Sequence, residues 1–125
     1  MSYKFERPEL KFRAWDGERM FYSDKEYGSL TYFFNYHSND TMMQWTGLKD
    51  KDGKDIYEGD ILASKGGYTR IVSFQKNSGS FMMAHLNELN ITWGDPWQSM
   101  PQEYLKEFEH EIVGNLFENP YLIPQ

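Results

Sequence analysis

Apolar and polar positions alternate in short runs along most of the chain, the two-residue period of half-buried strands. In KFRAWDGERMFYS (Lys11 to Ser23) two such runs flank Asp16-Gly17, a dipeptide suited to tight hairpin turns because it tolerates positive φ. The pattern predicts a hairpin with Phe12, Ala14, Met20 and Tyr22 on one face. TMMQWTGL (Thr41 to Leu48) predicts a strand with Met43 and Trp45 on one side and Met42, Gln44 and Thr46 on the other. YTRIVSFQ and SFMMAHLN flank KNSG (Lys76 to Gly79) and predict a second hairpin. LTYFFNY, within Asp24 to Asp40, reads as a strand or an ordered loop, because aromatic side chains favour extended backbone. ITWGDPWQS begins like a strand and is broken by Gly94 and Pro96.

The period changes once. Tyr104, Leu105, Phe108 and Ile112 recur at helical spacing. Pro101 stands near the start, where its missing N–H costs nothing, and Ser99 with Gln102 resembles a capping box. The spacing predicts one short helix over about residues 101–111, with Glu103, Glu107 and Glu111 as an acidic stripe. IVGNLF then returns to strand. No linker or repeat divides the chain, so residues 1–125 read as a single domain, a small, mainly β, mostly antiparallel roll or barrel.

Composition narrows the function classes. Nineteen acidic against 13 basic residues give a net charge of −6, which weighs against nucleic acid as a partner. There is no cysteine, which excludes disulfides, thiolate metal sites and thiol nucleophiles. No apolar run reaches the roughly 20 residues of a membrane helix, and MSYKFERPELKF lacks an apolar signal core. The expectation is a soluble, unexported protein without membrane contact.

The densest charge lies in TGLKDKDGKDIYEGDIL (Thr46 to Leu62). If Asp50 and Asp52 held the third and fifth positions of an EF-hand loop, Gly53 would fall correctly at the sixth. The first and twelfth would then be Leu48 and Gly59, and neither offers a carboxylate. The stretch therefore reads as a hairpin with solvated charges followed by a second turn. Gly47, Gly53 and Gly59 supply special backbone angles there, and Asp60 bonds turn backbone. His37, His85 and His110 lie far apart without metal-ligand spacing. No phosphate loop, nucleophile elbow or zinc motif is present, so neither cofactor nor metal is expected. Asp60, Glu58 and His85 come nearest to a catalytic set. Trp15 and Trp45 read as core, whereas Trp93 and Trp97, around the breaker in WGDPW, are candidate partner contacts. Glu103, Glu107 and Glu111 are a solvated face or a docking surface for a basic partner.

Three blocks, KFRAWD, MQWTGLKDKDGKDIYEGDIL and EIVGNLFENPYLI, resemble in order and spacing the signature blocks of the YopX family, encoded by bacterial phages and prophages. The resemblance implies an SH3-like roll, a topology that periodicity alone does not reach, and homo-oligomers in the cytoplasm of a bacterial host. It brings no catalytic residue. The expectation is a non-enzymatic accessory protein of unassigned biochemical role that acts through protein–protein contacts, with itself and with a host or phage protein. The alternatives are a nucleic-acid-associated SH3-like module, by fold analogy, or an acidic decoy of a host DNA-binding protein.

Overall fold

The computed structural model describes residues 9–25, 27–86 and 96–123. Strands β1 (Phe12–Trp15), β2 (Met20–Tyr22), β3 (Thr41–Lys49) and β4 (Asp55–Tyr57) form one sheet in the order β2-β1-β3-β4. Strands β5 (Asp60–Ala63), β6 (Thr69–Gln75), β7 (Ser80–His85), β8 (Gln98–Ser99) and β9 (Glu111–Asn115) form a second, in the order β8-β7-β6-β5-β9. All pairings are antiparallel, and the two sheets make a half-barrel, the mainly β roll that the alternation predicts.

Period-two alternation splits the second sheet's side chains between two cores. Leu62 and Val72 join Ile56, Met83, Met100 and Leu105, which brings both sheets and the helix α2 (Gln102–Glu107) together. Their neighbours Ile61 and Ile71 turn to the other face and meet Leu86, Trp97, Leu122 and Ile123. The central strands of this sheet are therefore covered on both sides.

Three local expectations need correction. The first hairpin does form, but residues 16–19 make its loop, closed by Asp16 Oδ1 accepting the N–H groups of Glu18 (2.8 Å) and Arg19 (2.7 Å). Ala14 then faces Phe21, and Arg13 faces Tyr22. Phe12 and Ala14 therefore do not share a face with Met20 and Tyr22.

LTYFFNY is neither strand nor loop. It is the helix α1 (Leu30–Tyr36), opened by Ser29, whose Oγ accepts the Tyr32 N–H at 3.2 Å. Phe33 and His37, four apart, are its buried positions, and this packing outweighs the strand preference of its rings.

α2 stops at Glu107 and not at residue 111. Its N-cap is Pro101, without a side-chain bond, and Ser99 lies in β8. Gln102 makes a different contact. Its Oε1 accepts the Lys49 N–H (2.9 Å) and its Nε2 donates to the Lys49 carbonyl (2.8 Å), so one amide pairs with β3 as a strand neighbour would.

Candidate functional site

A cleft of about 570 Å³ is lined from both sheets, by Arg13 on β1, Tyr22 on β2, Tyr57 on β4, Asp60 on β5 and Asn115 on β9, among others. At its floor Arg13 and Asp60 pair at 3.0 Å, both almost wholly buried. Gly59, at φ +85°, turns the chain from β4 into β5 and sets Asp60 there. Oδ2 of Asp60 accepts the Tyr57 N–H at 2.8 Å. Arg13 Nη2 also donates to the Glu58 carbonyl at 2.9 Å, and the guanidinium lies 5.0 Å from the centre of the Tyr57 ring.

Burial pushes the Asp60 carboxyl up to about 6, against the opposing pull of Arg13 and of the Tyr57 N–H. Burial also raises the Tyr57 phenol, helped by the nearby acids Asp24 and Asp55, so it stays protonated. Above them Asp55 bonds Lys11 (2.7 Å) and Lys49 (2.8 Å). Burial works to raise its pKa, but the two lysines outweigh that and hold it below the ordinary range. A carboxyl near 6 has a range suited to proton transfer. Both Asp60 oxygens are already engaged, however, by Arg13 and by turn backbone.

The charged stretch is not uniformly solvated. Asp50 is buried: Oδ1 accepts the N–H groups of Asp52 and Lys54, both at 2.9 Å, and Oδ2 accepts that of Ile112 at 3.1 Å. Asp50 thus closes its own turn and ties it to β9. Asn115 does the same at the far end of β9, its Oδ1 accepting from Phe117 (3.0 Å) and Glu118 (2.8 Å). Among the described residues no group of three or more His, Asp and Glu is placed to hold a metal ion. No helix among them is long and apolar enough to cross a membrane.

A second polar cluster lies on the other sheet. Arg70 on β6, mostly buried, sits between two histidines, with Nη1 2.8 Å from His110 Nε2 and Nη2 3.3 Å from His85 Nε2. The third histidine, His37, is held between Asp40 Oδ2 (2.7 Å, at Nδ1) and the Tyr27 hydroxyl (2.8 Å, at Nε2).

A family model described as YopX protein matches residues 21–124. The chain belongs to the YopX family. Of the three blocks that resemble the family's signatures, Lys11 to Asp16 precedes the matched stretch, and the other two lie within it. Among solved structures the chain is similar to protein EF1440 from Enterococcus faecalis, at 23% identity and a TM-score of 0.62 over 94% of this chain and 100% of that one. This likeness shows the fold. No curated protein matches the chain.

Within this YopX-family fold the residues singled out from the sequence separate. Trp93 lies outside the described residues. Trp97 is half-buried against Ile61, Ile71 and Leu86, part of a core and not of an exposed platform. Glu103 and Glu107 are exposed on α2, but Glu111 opens β9, so the three do not form one helical stripe. Gly53 takes φ +82° in its turn, but Gly47, at φ +84°, lies within β3 where the pairing with β4 shifts register between Trp45 and Lys49, so it marks a strand irregularity and not a turn. Asp60, Glu58 and His85 are bound to different partners: Asp60 to Arg13, Glu58 Oε1 to the Gln44 N–H (2.9 Å), and His85 to Arg70. The buried cations Arg13 and Arg70 escaped sequence reasoning. Each stands inside an apolar strand, where an arginine reads as solvent-facing unless another element covers it.

Proposed function

We propose that the protein is a non-enzymatic phage or prophage accessory protein that works by protein–protein contact, and that its first partner is a second copy of itself, met through α1. The observation behind this is the outer face of α1, where Tyr32 is 55% and Tyr36 67% exposed and their rings stack, 6.2 Å between centres. The helix, LTYFFNY, carries no charged residue. Tyr and Phe with few charges are the composition of an interface core. Two copies, each at −6, repel over most of their surface, so a neutral aromatic face is where they meet at least cost. Family membership supports the phage or prophage setting.

The same acidic balance weighs against the nucleic-acid alternative. The decoy alternative loses support because the acidic stripe ends with Glu107.

Light scattering after size exclusion tests the reading. The expected result is a dimer or larger species that Tyr32→Ser with Tyr36→Ser converts to a folded monomer. A wild-type protein that stays monomeric at high concentration would overturn it.

A further inference from the structure

Arg70 is a buried cation, and the described residues around it supply no counter-charge. Its partners among the described residues are two imidazole nitrogens and the face of Tyr104, with the guanidinium 5.9 Å from that ring's centre. Among the described residues no carboxylate pairs with it, whereas Arg13 has Asp60 at 3.0 Å. A buried charge left unpaired is costly.

The hydrogen bonds are incomplete in the same direction. Guanidinium only donates, so His110 Nε2 must accept and the ring proton must lie on Nδ1. Burial first, and then Arg70, lower the His110 pKa, in keeping with a neutral ring. Among the described residues neither His110 Nδ1 nor Arg70 Nε, both buried, has a hydrogen-bond partner. The cluster therefore has an excess of N–H donors and of positive charge, and lacks an acceptor.

Arg70 also lines a cleft of about 290 Å³ together with Lys65, Tyr68, Tyr104 and Phe108. That is at the small end of ligand sites. Among the described residues no acidic side chain lines it, and Glu109 meets Lys65 at 3.5 Å with both side chains largely exposed. Tyr68 and Phe108 are exposed rings, and Tyr104 packs between Phe108 (4.6 Å between ring centres) and His110 (5.5 Å).

We infer that this cleft is a binding site for a small oxyanion carried on a planar ring, a phosphate or a carboxylate, with Arg70 and Lys65 taking the anion and Tyr68, Tyr104 and Phe108 flanking the ring. Arg70 supplies a planar fork matched to oxyanions. The aromatic walls supply stacking area that a bare anion does not use. The site lies apart from α1 and is independent of self-association.

Phenyl phosphate and benzoate are the probes, titrated into the full chain and read through the Arg70 Nε–H resonance in nitrogen-15 spectra. Both should shift it in a saturable way, and whichever binds more tightly identifies the anion type. Inorganic phosphate and phenol, each lacking one half of the recognised chemistry, should bind about tenfold more weakly. Lys65→Ala and Tyr68→Ala, both at exposed positions, should keep the fold and weaken phenyl phosphate several-fold. Absence of any shift with about 10 mM of either ring anion would overturn the assignment. So would phenol binding as tightly as the anions, or affinity unchanged in both variants.

Discussion

The carboxylate of Asp50 accepts the backbone N–H of Ile112, sixty-two residues further along the chain, at 3.1 Å. Asp50 belongs to the charged turn and Ile112 to β9, so one buried side chain fixes a local hairpin and the closure of the second sheet onto it. The turn is thus a joint between the sheets. Its sharp bend at Gly53 serves to aim Asp50 inward.

Asp50→Ala removes the acceptor of three backbone N–H groups, two in the turn and one on β9. All three bonds are part-buried, and Asp52 and Lys54 are exposed, so water can replace part of what is lost. A loss of about 1–3 kcal/mol in urea unfolding is expected. Asp52→Ala, at an exposed position of the same turn, should stay within about 0.5 kcal/mol of wild type. Similar small effects for both would show that the carboxylate is not the joint.

Arg13 and Asp60 form the other buried connection, between β1 and β5. Removing one member of such a pair strands the other, at about 3–5 kcal/mol. Arg13→Met should therefore be severe. Combining it with Asp60→Asn should recover a large part of the loss, because asparagine keeps an oxygen for the Tyr57 N–H and leaves no charge behind. The double-mutant cycle measures the coupling, and additive losses would contradict a mutual dependence.

Much of this fold was legible in the chain and some was not, for identifiable reasons. The strands of β3, β6 and β7 were legible as apolar-rich runs bounded by turns, although β6 buries Arg70, Ile71 and Val72 in succession because both of its faces are covered. The expected face of β1 against β2 is off by one residue: a face shared by Phe12, Ala14, Met20 and Tyr22 needs Ala14 opposite Met20, whereas the four-residue turn 16–19 sets it opposite Phe21, and a one-residue slip exchanges faces. α1 was hidden because five of its seven residues lie on a surface that does not decide helix from strand. Its signal was Ser29 three residues before Tyr32 and the spacing of Phe33 and His37. At the candidate sites, a strand arginine reads as solvent-facing until another element covers it, so Arg13 and Arg70 were invisible. The pairs Asp50–Ile112, Gln102–Lys49 and Arg70–His110 are tertiary, and local pattern carries no trace of them.

Asp60 should also set a pH dependence. Its folded pKa of about 6 lies above the ordinary aspartate value of 3.8, because burial disfavours the ion. The folded state holds this proton more tightly than the unfolded chain does. The group's contribution to stability is therefore present in full below about pH 4 and is lost as pH rises through about 6, on the order of 3 kcal/mol across the window. The Asp60 carboxyl carbon shift should titrate with a midpoint near 6 by NMR. Asp60→Asn should remove the corresponding slope from urea stabilities measured between pH 4 and 7. A carboxyl midpoint below 4 would falsify the claim that burial outweighs Arg13.

The end of α2 offers a stabilising change. The His110 N–H bonds the Leu105 carbonyl (2.9 Å) and the Glu109 N–H bonds that of Lys106 (3.2 Å), the two bonds of a Schellman cap. The residue between helix and strand in that motif takes left-handed angles, and here it is Glu109, at φ +47°. Among the described residues it is the one non-glycine with positive φ. This also explains the helix length read from the sequence: without a glycine after Phe108, nothing local marks a stop, and the apolar spacing runs on to Ile112. An L-residue in this conformation costs about 1–2 kcal/mol. The side chain offers little in return, since its contact with Lys65 is long and exposed. Glu109→Gly should therefore raise stability by about 0.5–1 kcal/mol, after the entropy that glycine adds to the unfolded chain is subtracted. Thermal and urea unfolding at neutral pH measure this directly, with Glu109→Ala as the control that removes the carboxylate but keeps the strain. Equal stability of the alanine and glycine variants would mean that the strain released at the left-handed turn does not exceed the entropy glycine adds to the unfolded chain.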